Sequence, residues 1–261
     1  MNFVFSVALP NLLAVGLCML TLWLVSLVLK DASIVDPFWG TGFVIIAWVT
    51  FFRVGEVSAR TLLLLGMVTI WGSRLSLYLL IRNLPHGEDF RYRAMRQSVG
   101  SRFWWVSFLS VFSLQGILMW LISSPLQLTI AYKNSAIGLF EVVAALLWLV
   151  GFSFEAIGDA QLRAFKKDPA SKDRVMDQGL WRYTRHPNYF GESLMWWGYG
   201  IYALATPGGV YALLAPAAMT FLLLRVSGVT LLEKSIGDRR PGYREYVERT
   251  SAFIPMPPKK A

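Results

Sequence analysis

The stretch from Gln178 to Glu192, Gln-Gly-Leu-Trp-Arg-Tyr-Thr-Arg-His-Pro-Asn-Tyr-Phe-Gly-Glu, carries the residue types needed to grip a flat, anionic ligand. Arg182, Arg185, His186 and Asn188 offer donors, Glu192 offers an acceptor, and Trp181, Tyr183 and Tyr189 offer ring faces. Arginine suits phosphate because its planar fork donates two parallel hydrogen bonds. Pro187 reads as the first turn of a helix, whose N-terminal N–H groups and dipole favour an anion. The plainer explanation is a basic loop anchored at lipid headgroups, so the stretch has to be weighed with its surroundings.

Three further groups of residues have spacing that bears on chemistry. Asp159, Arg163 and Lys166 step by 4 and 3, which places them on one helix face. An i,i+4 salt bridge accounts for that spacing. A polar rim also accounts for it, with Asp159 accepting from a ribose or amide and Arg163 and Lys166 taking phosphate. Trp71, Arg74, Tyr78 and Arg82 also share a face. Arg74 sits about two turns inside an apolar run, where an ionisable residue faces a cavity or a partner. Snorkelling explains Arg82 but hardly Arg74. Asp36-Pro37 reads either as an N-cap with a first-turn proline or as a carboxyl at the membrane interface, kept protonated as a hydrogen-bond donor.

Other polar positions carry weaker signals. The run Phe90 to Arg96 reads as a surface helix on anionic lipid, and Gln115 as an interhelical hydrogen bond. Glu233 and Tyr246 either close the cytosolic side of a pocket or belong to a packed amphipathic tail.

The elements that position these residues are membrane helices. The chain has 261 residues, of which 55% are hydrophobic and 16% charged; its mean hydropathy is +0.49. Soluble domains carry about 25% charged residues. Apolar runs of about 20 residues recur from end to end, which predicts an all-α, polytopic membrane bundle forming a single domain over 1–261. About seven spans are expected, at 3–29, 38–52, 60–81, 103–123, 136–158, 189–206 and 209–227. The first reads as a retained helix, since no basic n-region precedes it.

Charge sets the expected orientation. Arg53, Arg60 and Lys133 fall on one side, and nearly all other basic residues on the opposite side. The positive-inside rule then puts the N-terminus outside and the C-terminus in the cytosol. Segments 82–102, 159–188 and 228–261 become the cytosolic chemistry. The net charge of +9 lies beside membrane segments, so topology and anionic lipid explain it better than nucleic acid does. A lone Cys18 and two histidines argue against a metal site. Phosphate-loop, zinc-peptidase, dinucleotide-fold and serine-hydrolase motifs are absent. A nucleotide would therefore need a pocket built between helices.

Taken in order, these motifs resemble the steroid 5α-reductase family, and most closely its bacterial branch, a domain of unknown function of the DUF1295 type. The markers are Asp36-Pro-Phe-Trp-Gly40, Trp71-Gly-Ser-Arg-Leu75, Asp159-Ala-Gln-Leu-Arg163, the run Gly179 to Glu192, Arg225-Val-Ser-Gly228 and Gly242-Tyr-Arg-Glu-Tyr246. The Gly179–Glu192 match is shared with sterol reductases and with isoprenylcysteine and phospholipid methyltransferases. The resemblance implies a seven-helix bundle in a bacterial inner membrane, a cytosolic NADPH pocket and a lipid-accessible substrate pocket. The implied reaction is reduction of a C=C bond conjugated to a carbonyl.

By the same resemblance, Asp36 stands in the place of the family's acid, with Val35 in place of its glutamine. Trp71 falls where the family carries a substrate-facing tyrosine, which leaves Tyr78 as the substitute. Asp36 and Tyr78 are then the catalytic candidates, and Trp39, Trp71 and Arg74 the substrate-binding ones. Arg82, Asn83, Arg163, Lys166, Arg185 and His186 are expected to hold phosphates. Asp159, Tyr183, Asn188, Tyr189, Glu192, Arg225, Glu233 and Tyr246 complete the cofactor set. The alternatives are an S-adenosylmethionine-dependent membrane methyltransferase, which has less need of so many arginines, and a non-enzymatic lipid-binding protein. The partners implied are a lipid-like substrate and membrane lipids.

Overall fold

The computed structural model describes residues 2–171, 174–226 and 242–259. Among them the regular structure is helical, with no strand. Six stretches are long and apolar enough to cross a membrane: Val4–Leu29, Ala32–Val54, Ala59–Asn83, Phe90–Ile122, Leu139–Lys167 and Gly209–Val226. The protein is an all-α polytopic membrane protein. The segment expected at 189–206 is a helix of 17 residues, Pro187–Ala203. At about 25 Å it falls short of a hydrocarbon core about 30 Å thick.

The chain divides into two compact units, Met1–Gly138 with Ala205–Gly209, and Leu139–Leu204 with Val210–Ala261. The first unit contains α1 (Leu9–Leu29), α2 (Val35–Val54), α3 (Ala59–Asn83), α4 (Phe90–Val99), α5 (Phe103–Ser107), α6 (Leu114–Ile122) and α7 (Ser124–Ala131). A 3₁₀ turn, Ala32–Ile34, leads directly into α2. Asp31 caps that turn, its Oδ1 accepting from the Ser33 N–H at 2.8 Å. The N-cap of α2 is therefore Ile34, and Asp36 lies inside the first turn instead of capping it.

α2 and α3 approach at backbone distance through Gly40 and Gly72. A Cβ on Gly72 would lie 2.6 Å from the Gly40 carbonyl oxygen, and one on Gly40 would strike the Gly72 oxygen. Polar side chains tie α1, α2 and α7 together within the apolar interior. The Asn11 amide donates to Thr50 Oγ1 at 2.7 Å and to Gln127 Oε1 at 3.3 Å. Arg60, expected on the outer surface beside Arg53 and Lys133, is instead fully buried. It donates to the Thr129 carbonyl and to Thr206 Oγ1.

The second unit contains α8 (Leu139–Lys167), α9 (Pro187–Ala203), α10 (Leu214–Phe221) and α11 (Tyr243–Arg249). α8 and α9 form its core. A Cβ on Gly151 would lie 2.6 Å from the Gly191 carbonyl oxygen, and the reciprocal clash holds for Gly191. One and two turns along, Gly158 leaves room for the ring of Pro187, whose Cγ would lie 3.1 Å from an added Cβ. The Trp148 indole donates to the Tyr199 phenol oxygen at 2.9 Å on the same interface. This close packing fixes the start of α9 against the end of α8 that bears Asp159.

Candidate functional site

In the first unit, the polar chemistry gathers on Asp36. Its Oδ1 accepts from the Tyr92 phenol at 2.6 Å, and its Oδ2 accepts from Arg91 Nη2 at 2.7 Å. The phenol oxygen accepts in turn from Gln115 Nε2 at 3.2 Å. The Asp36 side chain is 14% exposed and Tyr92 is 7% exposed. Arg91 is held from its other side, with Nε donating to Asp89 Oδ1 at 2.8 Å.

A second clip lies beside the first. Glu88 accepts Arg96 as a fork, from Nη2 at 2.7 Å and Nε at 3.0 Å, and its Oε1 also accepts the Ala32 N–H at 2.9 Å. Burial pushes the Glu88 carboxyl up, but the hydrogen bonds from Arg96 and Ala32, with the charges of Arg96 and Arg93, outweigh it. The carboxyl therefore sits below its usual range. α4, expected as a surface helix, is thus strapped onto the start of α2 by Asp36 and onto the turn before α2 by Glu88.

The α3 face expected from the sequence is present. Trp71 is buried, with its ring 5.8 Å from that of Phe43, which meets the Trp39 ring edge-on at 5.3 Å. The guanidinium carbons of Arg74 and Arg82 lie 5.1 and 5.8 Å from the Tyr78 ring centre. Arg82 also donates from Nε to Asn83 Oδ1 at 3.1 Å.

In the second unit, Asn188 Nδ2 donates to Asp159 Oδ1 at 3.1 Å, and Asp159 is 3% exposed. The His186 and Tyr189 rings stack at 5.5 Å with planes 7° apart. Glu192, one turn into α9, is buried, while Arg163 and Lys166 are exposed on the turns of α8 beyond Asp159.

Arg185 and Tyr246, expected to face a cofactor, have polar atoms that fasten the tail. Arg185 Nη1 donates to the carbonyls of Val247 and Thr250 at 2.9 and 2.7 Å, and the Tyr246 phenol donates to the Trp181 carbonyl. Burial drives the Tyr246 phenol well above its usual range. The Tyr183 ring is exposed, while its carbonyl accepts the Met256 N–H at 2.9 Å. Thr184 Oγ1 donates to the Phe253 carbonyl at 2.8 Å. Arg225 is exposed in the turn Leu222–Val226, and Glu233 lies outside the described residues.

Reading of the sequence missed Arg91, Tyr92 and Glu88 as site residues. The available signal was the donor-rich run Phe90-Arg-Tyr-Arg beside a carboxyl, Asp36, that needed partners.

Fold and site together define a polytopic membrane protein with one polar cluster around Asp36 and another around Asp159. The chain belongs to the family described as "Protein of unknown function (DUF1295)", whose model matches residues 22–250. It is also similar to the "Uncharacterized protein C594.04c" of Schizosaccharomyces pombe, with 24% identity over 265 residues, covering 90% of this chain and 75% of the yeast protein. No solved structure matches the chain.

Proposed function

We propose that the protein is a membrane reductase of the steroid 5α-reductase type, which saturates a carbonyl-conjugated C=C bond in a lipid-like substrate with NADPH as reductant. The observation that carries this reading is the Tyr92–Asp36 pair. A conjugate reduction develops negative charge on the carbonyl oxygen, and a donor aimed at that oxygen is where electrostatic help counts most. Methyl transfer from S-adenosylmethionine creates no such oxyanion and has no use for this pair.

The pair supplies a donor as follows. With one proton added, Asp36 donates to the phenol oxygen, and the Tyr92 proton is released towards a carbonyl oxygen. Arg91 stays on Oδ2 and holds the carboxyl in orientation, and Gln115 holds the phenol. When bound, a reduced nicotinamide supplies hydride to the β-carbon. The carbonyl oxygen takes the Tyr92 proton, and the resulting enol returns to the ketone as its α-carbon is protonated. The net change is one hydride and one proton added across the C=C bond.

The residues of the second unit fit such a cofactor. Buried Asp159 and its Asn188 partner offer an acceptor and a donor suited to ribose hydroxyls or a carboxamide. Exposed Arg163 and Lys166 offer cations suited to phosphate. The positive-inside argument places these groups in the cytosol. Half-buried Trp39, backed by the fully buried rings of Phe43 and Trp71, offers one aromatic surface to a flat apolar substrate.

The test is enone-dependent oxidation of NADPH by the purified protein in lipid, screened over steroid, isoprenoid and unsaturated acyl ketones. Turnover of one class supports the reading. Oxidation that is independent of every enone, or none at all from protein that binds NADPH, contradicts it.

A further inference from the structure

We propose that the groove between the last turn of α1 and the α4–α5 junction is a binding site for an anionic phospholipid of the surrounding leaflet. The groove has a volume of ≈ 620 Å³, and its wall includes Leu27, Arg96, Gln97, Ser101, Phe103 and Trp104. A volume of that order holds a small-molecule ligand.

Its level in the membrane follows from the helices that form it. Leu27 lies in the final turn of the span Val4–Leu29, and Phe103 and Trp104 lie in the span Phe90–Ile122. Trp23 and Trp104 mark the same level. The Trp23 indole N–H donates to the Trp104 carbonyl at 2.8 Å, and the two rings lie 6.5 Å apart. Tryptophan concentrates where the hydrocarbon meets the headgroups. The groove therefore opens at the depth where a lipid changes from acyl chain to phosphate.

Its wall has the same two characters. Leu27, Phe103 and Trp104 offer apolar surface to a chain. Arg96, Gln97 and Ser101 offer polar groups to a glycerol phosphate. Arg96 gives Nε and Nη2 to Glu88, and its guanidinium carbon lies 4.1 Å from the Phe103 ring centre. Its Nη1 has no hydrogen-bond partner among the described residues, which leaves both of that nitrogen's N–H groups for a phosphate.

Charge decides which lipid. Residues 90–102 contain Arg91, Arg93, Arg96 and Arg102 and no acidic residue. Asp36 and Asp89 balance Arg91, and Glu88 balances Arg96. Arg93 shares Glu88 through its charge, and Arg102 has no carboxylate partner among the described residues, so four arginines stand against the three carboxylates of Asp36, Glu88 and Asp89 and the local field favours an anionic headgroup over a zwitterionic one. This inference stands independently of the reductase reading.

The experiment compares phosphatidylglycerol with phosphatidylcholine at equal mole fraction in mixed micelles with the full chain. The expected result is a melting temperature about 5 °C higher in phosphatidylglycerol. Native mass spectrometry should show phosphatidylglycerol retained in preference. The double variant Gln97→Glu with Ser101→Glu changes two exposed side chains and puts negative charge into the groove, and it should abolish the difference. Arg102→Gln, a surface change beside the groove, should reduce the shift about twofold and serves if the double variant is unstable in detergent alone. Equal shifts from the two lipids, or a phosphatidylglycerol shift unaltered in both variants, would overturn the proposal.

Discussion

The phenol of Tyr92 donates to Oδ1 of Asp36 across 2.6 Å, joining α4 to the first turn of α2. If that pair is the acid of a conjugate reduction, Tyr92→Phe should lower kcat by about 10²–10⁴-fold, the usual range for a general acid. The same change removes two hydrogen bonds and should cost stability on the order of 1–3 kcal/mol. Turnover and thermal unfolding measured on one preparation separate the two effects. A variant that melts lower but turns over normally would leave the pair a purely structural role.

The neighbouring clip gives a pH dependence with a definite sign. Glu88 is held below its usual range by Arg96 and by the Ala32 N–H despite its burial. A depressed folded-state value means that the clip contributes fully above the unfolded value of about 4.3 and fades as pH falls through the folded value. The difference in melting temperature between wild type and Glu88→Gln should therefore be large near neutrality and shrink progressively below about pH 4. A difference that stays constant down to pH 3 would contradict it.

Backbone contact between α8 and α9 makes a sharper structural prediction. Gly151→Ala and Gly191→Ala each drive a Cβ into the facing carbonyl and should cost on the order of 1–3 kcal/mol or more. Gly66→Ala, where an added Cβ meets nothing within 4 Å, should be neutral or stabilise by up to about 1 kcal/mol. Thermal unfolding of the three variants in one detergent checks the contrast.

Much of this was legible in the sequence, for reasons that individual residues make plain. Runs of about 20 apolar residues announce membrane helices because nothing else buries them. Their ends were harder to place. α2 starts at Val35 and not 38 because Asp31 caps a 3₁₀ turn that feeds it. α4 joins the run that contains α5 and α6 because only a short turn at Gly100, with φ of 63°, separates them. The family resemblance puts Asp159 and Asn188 in one cofactor set, and the structure brings them into contact. The Tyr92–Asp36 contact has no such cue, because it joins residues 56 apart and helical periodicity says only that α4 has two faces. The tail explains Arg185, since periodicity cannot reveal that its guanidinium meets the carbonyls of Val247 and Thr250.

That difference between Arg185 and Arg163 is itself testable. Arg185→Ala leaves buried carbonyls without a donor and should destabilise the fold by about 2–5 kcal/mol. Arg163→Ala alters an exposed side chain and should change the melting temperature by less than about 2 °C. Thermal unfolding of the two variants side by side reads the contrast, and equal losses would mean that Arg163 is structural too.

The most direct measurement for the central claim is cofactor binding by the detergent-purified protein, with NADPH, NADH and S-adenosylmethionine titrated in parallel against wild type and Arg163→Ala. The account predicts saturable NADPH binding, weaker NADH binding, no binding of S-adenosylmethionine, and an NADPH affinity reduced at least about tenfold by the substitution, the loss of one charge-assisted contact. Binding of S-adenosylmethionine without NADPH, or NADPH affinity untouched in Arg163→Ala, would contradict it.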